Sequence, residues 1–90
     1  MFPGAIRLFE QHNIRIKKLK GDFDCSRMTL IKLPECTPMY ITGDFDCSNN
    51  YNLRTLENAP KMVSGKVTSY GTKLEPDVVR QTIVANKYEV

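Results

Sequence analysis

The string GDFDCS occurs at residues 21–26 and again, letter for letter, at residues 43–48. Each residue of the first copy therefore recurs at one fixed interval. The same interval carries Leu19 to Ile41 and Val63, and Pro38 to Pro60. It also reaches Gly65, which opens GKVTS, so that Val67 follows Phe23 and Phe45, and Ser69 follows Cys25 and Cys47. A third, degenerate copy is therefore present. Between the strings the match slips by one residue: Leu30-Ile-Lys-Leu33 corresponds to Leu53-Arg-Thr-Leu56, and each segment leads to a proline. A strand, a turn, an LxxL segment and a proline turn, recurring at about 22 residues, is the grammar of a solenoid.

Within each copy the residues alternate. Leu19, Gly21, Phe23 and Cys25 are separated by Lys20, Asp22 and Asp24. Successive side chains of a strand point to opposite faces, so the odd set forms one face. Stacked in parallel, the copies build inward columns of Leu19/Ile41/Val63, Gly21/Gly43/Gly65, Phe23/Phe45/Val67 and Cys25/Cys47/Ser69. Glycine inside a strand marks a close backbone approach; the LxxL wall opposite is the expected neighbour. The even residues form outward rows: Lys18/Tyr40/Met62, Lys20/Thr42/Ser64, Asp22/Asp44/Lys66 and Asp24/Asp46/Thr68.

The stretch GDFDCSNNYNLRTLENAPKMV, residues 43–63, resembles the leucine-rich-repeat-like arrays of bacteriophage and some bacterial proteins, in which a G-[DN]-F-x-C-S-x-N-x-L-x-x-L-x-x-x-P-x-x-V unit recurs. The likeness covers residues 19–69 and is fullest in the second copy. The first copy departs from it, with Arg27-Met28-Thr29 in place of the Asn-rich turn and with Pro34 and Cys36 added. The third keeps the strand. The resemblance implies a short parallel sheet of about three strands in an α/β or mainly β solenoid, and a phage origin. It implies no particular activity, because such arrays are known mostly as scaffolds.

The chain of 90 residues reads as a single domain: an N-terminal helical cap and lead-in strand at 1–17, repeats at 18–69 and a C-terminal cap at 70–90. Pro3 followed by Ala5, Ile6, Leu8 and Phe9 predicts a capping helix over 3–12, and the alternation of Ile14-Arg-Ile-Lys predicts a short strand. At the other end, Pro76 and Val78, Val79, Thr82 and Ile83 predict a short helix at about 77–86, with a strand as the alternative because three of these residues are β-branched. So small a solenoid can complete its burial by homo-oligomerisation.

Function is written less plainly. No run of about 18 apolar residues exists to cross a membrane, and the charged N-terminal stretch with Arg7 and Glu10 does not read as a secretion signal. Three cysteines without CxxC spacing, beside the single His12, suggest reduced thiols in a cytoplasm, that of a host cell for a phage protein. Cys25 and Cys47 point inward, whereas Cys36 is expected in an exposed loop. A Cys36–His12 pair and a zinc site from the cysteines compete with simple burial, and burial is the preferred reading. Asp22, Asp24, Asp44 and Asp46 fall in a square with neighbours about 5–7 Å apart. A bridging hard cation such as Ca²⁺, a basic partner surface and a solvated acidic patch are the three readings, and no EF-hand spacing supports the first. An open sheet face offers no catalytic cleft, so neither an enzyme activity nor a cofactor is expected.

Two surface readings remain. One is a protein-binding patch made of Lys18, Lys20, Tyr40, Thr42 and Met62, flanked by Asp22, Asp24, Asp44 and Asp46, with which a small accessory protein inhibits or redirects a host protein by occlusion. The other is an RNA-binding strip of Arg15, Lys17, Lys18 and Lys20, although a net charge of +3 is too mild to demand a nucleic-acid partner. A homo-oligomeric structural component is the third possibility.

Overall fold

A computed structural model describes residues 17–90; the expected N-terminal helix, lead-in strand, His12 and Arg15 lie outside the described residues. The described chain is a β-solenoid of about three turns, built mostly of parallel sheet with one short helix. The first turn carries β1 (Lys18–Leu19) and β2 (Phe23–Asp24), and the second carries β3 (Tyr40–Ile41) and β4 (Phe45–Asp46). The third carries one longer strand, β5 (Met62–Thr68), followed by helix α1 (Pro76–Thr82) and strand β6 (Val84–Glu89).

The register follows the period of the sequence. Lys18 pairs with Tyr40, Tyr40 with Met62, and Met62 with Val84, each one repeat interval further along the chain. Phe23, Phe45 and Val67 form a second in-register column, beside Asp24, Asp46 and Thr68. The repeat thus continues beyond Ser69. Its third turn closes through α1, and β6 supplies a fourth rung. An irregularity between Val63 and Lys66 then shortens the step, pairing Lys66 with Lys87. The helix expected at about 77–86 is shorter, and the strand alternative holds for its second half. Pro76 suits the first helical turn, Asp77 complements its positive end, and Val79 is the residue turned into the core. Ile83 then takes an extended conformation (φ −111°, ψ 123°), as a β-branched pair with Val84 favours.

The inward columns form the core. Ile41, Val63, Phe23, Phe45, Val67, Cys25 and Cys47 are buried, and Leu19 packs against them. The Phe23 and Phe45 rings stack with centroids 6.0 Å apart and planes 17° from parallel. Leu33 and Leu53 of the LxxL segments close the core from the other side, with Leu30 and Leu56 partly buried around them. Burying each of the largest side chains contributes about 2–3 kcal/mol. Cys36, expected to be exposed, is buried at 1 % exposure. The turn that holds it folds inward because Thr37 donates both its backbone N–H (3.0 Å) and its hydroxyl (2.6 Å) to the Pro34 carbonyl.

The glycine column has a different cause from the one expected. Gly43 does not face the leucine wall; it faces the preceding turn. A Cβ there would overlap Asp22 Oδ1 and stand 2.8 Å from the carbonyl carbon and oxygen of Gly21. Gly65 stands in the same relation to Asp44 and Gly43. Gly21 has open space around it and is required instead by its positive φ of 112°. The strand inferred from alternation is two short strands with a break between them in the first turn and, at Gly43 without a positive φ, in the second, whereas in the third it runs unbroken as β5.

Candidate interaction surface

The four aspartates are hydrogen-bonded within the fold. Asp22 Oδ1 accepts the backbone N–H of Asp44 at 2.8 Å, and Asp44 Oδ1 accepts that of Lys66 at 2.9 Å. Each carboxylate therefore reaches across to the next turn and fixes its register. Asp24 and Asp46 act within their own turns. Each Oδ1 accepts the N–H (2.9 Å) and hydroxyl (2.6 Å) of the serine two residues on, Ser26 or Ser48. Bonds from backbone N–H groups to a carboxylate are charge-assisted and offset the crowding of like charges. Among the described residues no three His, Cys, Asp or Glu side chains are placed to hold a metal ion.

An interior polar group also joins the turns. Asn50 is fully buried; its Oδ1 accepts the N–H groups of Met28 (3.0 Å) and Leu30 (2.9 Å). Its Nδ2 donates to the carbonyls of Cys25 and Cys47, both at 3.0 Å, and of Ser48 at 3.3 Å. The amide bonds two consecutive turns at once, and both ends of it are satisfied.

The thiols beside it are shielded. Burial pushes the Cys25 thiol well above its ordinary value of 9.0, with the neighbouring Cys47, Asp24 and Asp46 adding to the rise. Burial, followed by Asp46, pushes Cys47 up to about 12. Such groups are protonated at neutral pH and make poor nucleophiles or metal ligands.

What the fold leaves over lies on the sheet. The row Lys18, Tyr40, Met62 gains Val84 from β6, and Met62 and Val84 are 48 % and 61 % exposed. Lys18, Tyr40, Ile41, Thr42, Met62 and Ser64 line an open groove of about 300 Å³. Thus Lys18, Tyr40, Thr42 and Met62 are brought together as the sequence suggested. Lys20 is exposed nearby, and Thr42 is partly committed, since its hydroxyl accepts the Gly21 N–H at 2.8 Å. Val84 was missed because its segment read as helix; its place one repeat interval beyond Met62 was the signal that could have found it. Lys17, Lys18 and Lys20, the basic residues of the RNA reading that fall in the described chain, are all exposed.

Sequence reasoning also missed a second groove, of about 400 Å³, lined by Arg27, Thr29, Asn49, Tyr51 and Asn52. Three of these residues have positive φ: Arg27 and Thr29 at 56° and Asn49 at 57°. Arg27, Asn49 and Gly71 (φ 70°) are spaced at the repeat interval, so a left-handed residue recurs at the same corner of each turn. The Asn and Gly at the second and third corners suit that conformation; the Arg at the first does not announce it.

No protein-family model, curated protein or solved structure matches the chain. No helix among the described residues is long and apolar enough to cross a membrane.

Proposed function

We propose that the chain is a small phage-type accessory protein that binds a host protein through the Tyr40–Met62–Val84 face and inhibits or redirects it by occlusion. The phage origin rests on the repeat resemblance. The binding face rests on one observation: in an in-register row, exposed Lys18, half-buried Tyr40 and exposed Met62 line a groove, and exposed Val84 extends the row. The inward columns, the aspartates and Asn50 all have evident work within the fold; this row has none. An aromatic ring, a flexible thioether and an aliphatic side chain edged by a lysine suit the centre and rim of a recognition surface. The reading needs neither a cofactor nor a catalytic group.

The test is capture from host lysate followed by reconstitution of any captured protein, in purified form, with this chain. A Tyr40→Ala/Met62→Ser variant that keeps its melting temperature should weaken the one-to-one complex at least about tenfold, as loss of central anchors does. Undiminished affinity would remove this face from consideration. The aspartates are unsuitable for such a variant, because changing Asp22 or Asp44 also removes a bond between turns. RNA binding by Lys17, Lys18 and Lys20 would show itself instead as an affinity falling steeply with salt.

A further inference from the structure

Among the described residues β6 pairs on one side only, with β5, and at one rung of its outer edge the backbone is met by a side chain of β6 itself. In a parallel ladder, one residue of a strand donates its N–H to the carbonyl before its partner and accepts the N–H after it. The solenoid shows half of this pattern at each step: Tyr40 donates to the Lys17 carbonyl at 3.0 Å, Met62 to the Met39 carbonyl at 3.3 Å, and Val84 to the Lys61 carbonyl at 3.0 Å. A further turn in register with Val84 would therefore donate to the Ile83 carbonyl and accept the Ala85 N–H. The Tyr88 hydroxyl makes both of these bonds. It donates to the Ile83 carbonyl at 2.5 Å and accepts the Ala85 N–H at 3.1 Å. One phenolic oxygen thus stands in for the backbone amide and carbonyl of a residue one turn ahead.

We propose that Tyr88 is a plug on a strand-accepting edge, and that the occupant it excludes is a second copy of this chain. An exposed strand edge is a template for pairing with another chain. The fit to a second copy follows from register. Lys18, Tyr40, Met62 and Val84 are separated by equal steps, so the edge beyond Val84 repeats the spacing at which turns of this same chain already join. Val84, 61 % exposed, extends the side-chain row to that edge. With the plug in place the edge has no donor and acceptor pair to offer at this rung; with the hydroxyl gone, it has both.

The experiment compares wild type, Tyr88→Phe and Tyr88→Phe/Ala85→Pro by light-scattering mass across a hundredfold range of concentration. Tyr88→Phe keeps the ring and removes only the bonds. Ala85→Pro removes the outward N–H, which an edge strand tolerates. The expected result is a monomeric wild type, a Tyr88→Phe variant whose mass rises with concentration, and a return to monomer in the double variant. A folded Tyr88→Phe variant that stays monomeric, or a wild type that already associates through β6, overturns the proposal. Amide exchange on the unmodified protein tests it independently of any variant. Ala85 should be protected, and exchange at the rate of a free peptide would mean that the plug does not hold.

Discussion

Asp22 and Gly43 contend for one space: the Asp22 carboxylate oxygen that accepts the Asp44 N–H lies where a side chain at residue 43 would begin. Asp44 and Gly65 repeat the arrangement one turn later. The Gly-Asp pair is thus one device split between turns, the aspartate reaching forward and the glycine making room. Gly43→Ala and Gly65→Ala should each lower stability by about 2–3 kcal/mol, through overlap that the backbone must absorb. Urea unfolding followed by circular dichroism measures this. Removing the carboxylate as well, in Asp22→Ala/Gly43→Ala, should relieve only part of the loss, because the Gly21 carbonyl still lies 2.8 Å from the added methyl.

The same device separates charge from geometry at Asp44. If the carboxylate matters as an acceptor for the Lys66 N–H, Asp44→Asn should keep most of the stability, since an amide oxygen can accept in its place. Asp44→Ala should lose about 1 kcal/mol. Equal losses in the two variants would mean that the negative charge, not the bond, is what the fold requires.

Much of this was legible in the repeat. A constant period places Phe23 beneath Phe45 and Asp24 beneath Asp46, whatever the detailed backbone path. The alternation of small polar and apolar residues says which column faces inward. Besides the left-handed corners and the cause of the glycine column, three things escaped. Alternation cannot distinguish a straight strand from two halves around a break, and Gly-Asp stands at the break in the first two turns just as Gly-Lys stands inside the unbroken β5. Cys36 was misjudged because a proline-flanked turn reads as exposed unless its hydrogen bonds are known. The fourth rung was hidden because Val84, Ala85 and Tyr88 carry none of the Gly-Asp-Phe signature. The step also shortens by one position between the Val63–Ala85 and Lys66–Lys87 pairs, which blurs the period there.

Asn50 is the most consequential polar residue of the interior. Asn50→Ala leaves the Met28 and Leu30 N–H groups and the Cys25 and Cys47 carbonyls without their partner, while the Ser48 carbonyl keeps the Arg27 N–H, so a loss of about 3 kcal/mol or more is expected. Asn50→Asp retains the acceptor but removes the donors to the Cys25, Cys47 and Ser48 carbonyls and turns a charge toward them. It should be at least as damaging at neutral pH. Thermal unfolding of the two variants checks this, and an Asn50→Asp protein as stable as wild type would contradict it.

The buried thiols set a limit on the alkaline side. Cys47 is held at about 12 and Cys25 well above 9.0, whereas in the unfolded chain both should ionise near 9.0. Their protonated burial therefore favours the fold fully below pH 9. Above it the unfolded state releases protons that the folded state keeps, and stability falls by about 1.4 kcal/mol per pH unit for each thiol. Urea midpoints should be unaffected by these groups from pH 6 to 8 and drop between pH 9 and 10.5, with Cys25→Ser/Cys47→Ser flattening the drop. A thiol reagent at pH 7.5 should label Cys25 and Cys47 only after denaturant is added.

The left-handed corners give the last prediction, because the three turns solve one problem with residues of unequal aptitude. Gly71 adopts φ 70° without a Cβ to crowd, and Asn49 is among the side chains that tolerate φ 57°. Arg27 holds φ 56° at the same corner of the first turn with no such dispensation. A non-glycine residue there is strained by about 1–2 kcal/mol, part of which glycine would return to the unfolded chain as entropy. Arg27→Gly should therefore raise stability by about 0.5–1 kcal/mol, and Arg27→Asn by less, while Asn49→Val should lower it. Because Arg27 also lines the 400 Å³ groove with Thr29, Asn49, Tyr51 and Asn52, the stabilised variant carries a second readout. If the reconstituted host-protein complex weakens as the protein becomes more stable, strain at this corner is retained for binding, and the contact extends from the Tyr40–Met62–Val84 row to this groove. If the affinity is unchanged, Arg27 is simply an ill-suited residue at a corner that the repeat requires.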